Sequence, residues 1–88
     1  MSSIIYIVSG IIYNWWRTMI KLTNNLRRLR FEHDQMSQDA LAKLLEVSRQ
    51  TVNAIENGRF NPSVKLALKM AKVFNCRVED IFYLEEDE

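Results

Sequence analysis

Arg49, Gln50, Thr51 and Asn53 stand in the run Ser48-Arg-Gln-Thr-Val-Asn-Ala-Ile-Glu56, and their side chains match the donor and acceptor patterns of base edges. Arginine can bond guanine through two N–H groups, glutamine or asparagine can pair with adenine, and the threonine methyl fits against thymine. On a helix starting after Ser48, Val52 and Ile55 point one way, while positions 49, 50 and 53 share the opposite face. A helix held by an apolar back and exposing three or four polar readers can enter a DNA groove. The plainer alternative is that these residues form the ordinary solvent face of a small bundle. Other chemistry is poorly supplied: the chain has one His (His33), one Cys (Cys76) and two Gly. They cannot assemble a Ser-His-acid set, a zinc site of three or four soft ligands, or a glycine-rich phosphate loop. No enzyme activity, metal or cofactor is therefore expected. A single Cys forms no internal disulfide, which suits a reduced, cytoplasmic protein.

The elements that must hold such a reading helix are helical and well punctuated. Thr23 or Asn24 can cap a first helix with Leu26 and Leu29 on one face and Arg27, Arg28 and Arg30 on the others, ending near His33 or Asp34. Ser37 caps a second helix with the stripe Leu41, Ala42, Leu44 and Leu45, and Ser48 caps a third that stops at Asn57-Gly58. Asn61-Pro62-Ser63 opens a fourth, with Val64, Ala67, Leu68, Ala71 and Phe74 at helical spacing and Lys65, Lys69 and Lys72 opposite. A short fifth helix over residues 78–83 brings Ile81 and Phe82 to the core. Five short helices, with no strand expected in residues 21–84, give an all-α fold. At 88 residues there is room for one small core. The expected division is an apolar extension over residues 1–20, a helical domain over 21–84 and an acidic tail over 85–88.

Charge is nearly balanced in sum and uneven in place. Residues 1–74 carry eleven basic and five acidic side chains, net +6, whereas residues 75–88 set Arg77 against six carboxylates, net −5. A basic body suits a polyanion, and a solvated surface with an acidic end explains the same numbers. Residues 4–8 are an unbroken apolar run, and residues 11–16 add both tryptophans; their β-branched and aromatic content favours a strand. The run is shorter than the about 20 residues a membrane-spanning helix needs. It reads as sequence upstream of a start at Met19, as an arm pairing with another chain, or as an interfacial membrane contact.

From residue 20 to 88 the sequence resembles the phage-repressor (Cro and lambda-repressor) type of helix-turn-helix domain, most closely its small stand-alone transcriptional regulators. The resemblance is carried by Ser37-Gln38, Ala42, Val47-Ser48-Arg49-Gln50-Thr51-Val52, Ile55-Glu56-Asn57-Gly58, Asn61-Pro62-Ser63 and Val78-Glu79-Asp80-Ile81-Phe82. It implies a five-helix bundle that binds double-stranded DNA as a homodimer and regulates transcription, as a repressor in the simplest case. It implies that Arg49, Gln50 and Asn53 enter the major groove, with Thr51 at a base or backbone position. It further implies that Gln38 contacts a phosphate and braces Arg49, and that Ser48, Asn57, Arg59 and Lys43 serve the phosphate backbone. Two positions depart from the pattern. Glu46 stands at the turn where the family often has Gly, at a cost of about 1 kcal/mol if that backbone is left-handed. Asn75-Cys76-Arg77 replaces a Gly-aliphatic-Ser turn, with Cys76 as a small buried hydrophobe.

Several features stay open at this level. Arg27, Arg28 and Arg30 fit a phosphate clamp or surface charges paired with Glu32 and Asp34, and the three lysines of the fourth helix fit a solvent stripe. His33 fits a helix end. Leu66, Met70 and Val73, with Tyr83 and Leu84, form either a dimer surface or part of the core. An antitoxin or other protein-interaction module on the same fold is the rival function, and a regulator held at a membrane by residues 4–16 is another.

Overall fold

The computed structural model describes residues 20–86. The expectations for residues 4–8 and 11–16 lie outside the described residues. In chain order come strand β1 (Ile20–Asn24), helices α1 (Leu26–Glu32), α2 (Gln38–Leu45), α3 (Arg49–Glu56), α4 (Val64–Phe74) and α5 (Val78–Ile81), and strand β2 (Phe82–Glu86).

Three serines start three of the helices in the same way. The hydroxyls of Ser37, Ser48 and Ser63 accept from the backbone N–H groups of Ala40, Thr51 and Leu66 at 2.9, 3.1 and 3.1 Å. Each satisfies a donor that the first helical turn leaves open. Helix α1 begins later than either expected cap: Thr23 and Asn24 both lie in β1, and the N-cap position is Asn25, whose side chain makes no capping bond. Asn24 still braces the start: its Oδ1 accepts from the Leu26 N–H at 3.0 Å, and its amide donates to the Ile55 carbonyl at 3.0 Å, tying the start of α1 to α3. Helices α2 and α4 both stop on a left-handed residue, Glu46 (φ 61°, ψ 42°) and Asn75 (φ 54°, ψ 50°). The following N–H groups, of Val47 and Cys76, reach back to Ala42 and Ala71 at 3.0 Å each and close the helix ends.

The core gathers Leu26 from α1, Leu41 and Leu45 from α2, Val52 and Ile55 from α3, Met70 and Phe74 from α4, and Ile81 and Phe82 from the end of the chain. Burying each of the larger side chains contributes on the order of 1.5–3 kcal/mol. Of the set left open between core and dimer surface, Leu66 and Met70 belong to this core and Val73 packs against it, while Tyr83 and Leu84 remain exposed.

The fold is not purely all-α. β1 and β2 pair antiparallel, with Leu22 opposite Leu84, Thr23 opposite Tyr83 and Asn24 opposite Phe82. The expected fifth helix therefore ends at Ile81, and residues 82 and 83 become strand. Pairing the two ends of the described chain satisfies backbone groups that another helical turn would have used internally. It also seats Phe82 in the core, and the Asn25 N–H bonds the Ile81 carbonyl at 2.8 Å just beyond the ladder.

Candidate nucleic-acid interface

Helix α3 is built to present one face outward. Val52 and Ile55 are fully buried, while Arg49 and Gln50 are exposed and Thr51 and Asn53 half-buried. The Ser48 hydroxyl caps the helix and lies 2.9 Å from the Thr51 hydroxyl, so these two side chains are tied to each other at the N-terminus. The connection from α2 runs over Glu46, Val47 and Ser48 only, which holds α3 closely against the end of α2.

Gln38, Arg49, Gln50, Asn53 and Arg59 line one shallow recess, although they come from α2, α3 and the loop after it. Behind the recess is an ion pair between Arg30 and Glu56, whose side chains are 8% and 5% exposed. The Arg30 Nε bonds Glu56 Oε2, its Nη2 donates to Oε1 at 3.1 Å, and its Nη1 donates to the Met36 carbonyl at 2.7 Å. This fork satisfies both charges, which a buried ion pair requires if it is not to destabilise the fold. From Glu56 the bonding runs outward. The Gln38 amide donates to Glu56 Oε1 at 3.0 Å, and the Asn53 amide donates to Gln38 Oε1 at 3.4 Å. Asn53 Oδ1 in turn accepts from Arg59 at 3.0 Å and from Asn57 at 3.2 Å.

The residues named from the sequence thus fall into different situations. Among the described residues, neither Arg49 nor Gln50 makes a side-chain hydrogen bond, so their donors and acceptors are open to a ligand. Asn53 is the junction of the network, with both lone pairs of Oδ1 engaged. Gln38 is anchored on Glu56 and Asn53 rather than on Arg49. Asn57 and Arg59 meet at the C-terminal end of α3. Lys43 lies outside the recess, on the exposed side of α2, where it pairs with Asp39 at 3.5 Å. The three arginines of α1 separate as well. Arg30 is buried in the ion pair, Arg28 pairs with Glu32 at 3.6 Å, and Arg27 lies 5.9 Å from the Phe31 ring centroid. Of the two readings left open for these arginines, Arg28 takes the pairing with Glu32, and burial removes Arg30 from both. A signal for this was present in the sequence, since Arg30 follows buried Leu26 by four positions and so shares its face.

The left-handed Glu46 does not aim its charge at the recess. Its carboxylate is 3.6 Å from Lys69 Nζ on α4, and the same ammonium donates to the Leu45 carbonyl at 2.8 Å. A cation on the last carbonyl of α2 also complements that helix end. Cys76 packs beside the core, and burial, with a smaller push from the Asp80 carboxylate, holds its thiol above the usual cysteine range. Among the described residues no group of three or more His, Cys, Asp or Glu could hold a metal ion, and no helix is long and apolar enough to cross a membrane.

The model of a helix-turn-helix family matches residues 26–81, which spans α1 to α5. An uncharacterised HTH-type transcriptional regulator of Methanocaldococcus jannaschii, MJ0272, is 51% identical over 67 residues, covering 76% of this chain and 100% of that protein. The uncharacterised HTH-type transcriptional regulator YgzD of Bacillus subtilis is 44% identical over 66 residues, covering 75% of this chain and 98% of its own length. A similarly described protein of Archaeoglobus fulgidus is 51% identical over 53 residues, covering 60% of this chain and 75% of that one.

Proposed function

The chain belongs to the helix-turn-helix family, and from that premise we propose that it is a cytoplasmic, sequence-specific DNA-binding regulator that represses transcription as a homodimer. The observation that carries this reading is the recess on α3, where Arg49 and Gln50 stand open beside a bonded set of Gln38, Asn53 and Arg59. Open guanidinium and amide groups on the outer face of a short, firmly seated helix are what major-groove reading needs.

In this mechanism Gln38, Ser48, Asn57, Arg59 and Lys43 serve the phosphates. Such contacts set the register and supply the larger share of affinity. Arg49 and Gln50 read base edges, with Thr51 beside them at the N-terminus of α3. Asn53 joins them by exchanging its bonds to Arg59 and Asn57 for a base edge, which releases those two side chains toward the backbone. The Arg30–Glu56 pair holds Gln38 and, through it, keeps Asn53 in place before DNA arrives. Two copies on a two-fold operator would set their reading helices about 34 Å apart, one turn of the duplex. Repression then follows from occupying the site.

A selection from genomic DNA fragments, followed by fluorescence anisotropy on the recovered duplexes across a salt series, tests the proposal. Enrichment of a two-fold motif, with log K falling linearly against log salt, is the expected result. Recovery of no motif, with equal affinity for every duplex, would overturn it in favour of an antitoxin or other protein-interaction module.

A further inference from the structure

Helix α4 meets the core along Leu66, Ala67, Met70, Ala71 and Phe74 and leaves a second stripe uncovered. Val64 and Leu68, one turn apart, are 77% and 54% exposed, and they line a shallow apolar groove with the stems of Lys65, Lys69 and Lys72. Phe60, four residues before Val64 in the loop leading to α4, and Leu44, beside the Leu45 carbonyl that Lys69 holds, are also more than half exposed. Together the four side chains expose on the order of 500 Å², the size of the largest apolar patch on a typical monomer, which is often functional. A standard interface takes about 800 Å² from each partner, so this stripe with its lysine stems is a sufficient centre for one.

We propose that this stripe is the face on which a second copy of the chain docks, α4 against α4 about a two-fold axis. The proposal rests on the dimeric DNA-reading function above and gives that dimer its interface. A two-fold contact must be self-complementary, and a stripe along one helix can cross its own copy. The position also fits: the groove shares no lining residue with the recess on α3, so a copy seated on it need not cover the reading side chains. The charges nearest the centre do not oppose docking. Lys69 is already held by Glu46 and the Leu45 carbonyl, and Lys65 and Lys72 can extend their ammoniums to water from the rim. Other exposed apolar side chains among the described residues are more scattered: Leu22 faces Leu84 across the ribbon, with Tyr83 next to it in β2, and Phe31 stands on α1.

Sedimentation velocity on the full chain, Leu68→Asp, Val64→Asp and the ribbon control Leu84→Asp tests this face, with circular dichroism reporting the folded state. The wild type and Leu84→Asp are expected to dimerise at low micromolar concentration, and the two α4 variants to associate at least tenfold more weakly while still folded. Leu68→Asp should also bind a single half-site as the wild type does and lose cooperative occupancy of a duplex carrying two. Dimers that persist in both α4 variants, or that Leu84→Asp alone dissolves, overturn the proposal. So does a full chain that is monomeric and becomes dimeric only when shortened to begin at Met19, since residues 1–18 would then be what covers the stripe. If both α4 variants dissociate but the wild type shows no sequence preference on DNA, the face stands and the DNA-reading function falls.

Discussion

Helices α3 and α4 each bury one face in the same core and turn opposite chemistries outward. The outer face of α3 is polar and organised: Asn53 is bonded to Gln38, Asn57 and Arg59, and the chain of contacts ends on a buried ion pair. The outer face of α4 is apolar, with Val64 and Leu68 open to solvent. Long polar side chains lose rotamer freedom when a partner fixes them, so tying several of them down beforehand reduces the cost of later recognition. Exposed aliphatic groups need no such preparation, because burying them against any complementary surface is favourable. One domain can thus keep a face for a polyanion and a face for a protein without the two interfering.

The sharpest way to break the contrast is at the ion pair behind α3. Glu56→Ala leaves the Arg30 charge buried without its partner, and stability should fall by about 3–5 kcal/mol in urea unfolding. No single truncation on the outer stripe of α4 should approach that loss within one protomer. Next in size is Arg49→Ala, which should reduce discrimination between a selected and a scrambled duplex by about 1–3 kcal/mol. Its unfolding midpoint should stay within about 0.5 kcal/mol of the wild type, because Arg49 is exposed and makes no bond within the described residues. Glu46→Gly should stabilise the fold by up to about 1 kcal/mol by removing a side chain from a left-handed backbone. The gain is reduced by loss of the exposed pair with Lys69, itself worth about 0–1 kcal/mol. The smallest effect is at Lys43: Lys43→Ala should lower the salt slope of binding by about 1 and leave sequence preference unchanged.

The helices were legible because their signals are local. Ser37, Ser48 and Ser63 cap where capping residues should, Asn75 supplies the left-handed stop, and Val52 and Ile55 mark the buried face of α3, whereas Leu44, Val64 and Leu68, which the apolar stripes of α2 and α4 included, are exposed. The ribbon was not legible, because its two strands are about sixty residues apart and each is disguised. Thr23 and Asn24 look like helix caps, and Phe82-Tyr83-Leu84 continues the apolar pattern of α5 before running into acidic residues. The candidate site was readable as a set of residue types on one helix. Its internal wiring was not, since a bond such as Gln38 to Glu56 depends on how α2 and α3 cross, and no spacing within either helix encodes that. Arg30 is the instructive case: its charge argued for the surface, while its spacing from Leu26 argued for burial, and the carboxylate of Glu56 made burial affordable.

The central claim is that the open side chains of α3 supply sequence preference while the surrounding contacts supply general affinity. Its most direct test is the ratio of dissociation constants for a selected duplex and a scrambled one, measured at one salt concentration for wild type, Arg49→Ala and Lys43→Ala. The preference that this ratio measures should fall about 5- to 150-fold in Arg49→Ala and hold in Lys43→Ala, even as the latter binds both duplexes more weakly. A ratio unchanged in Arg49→Ala would contradict the assignment of the reading face to α3.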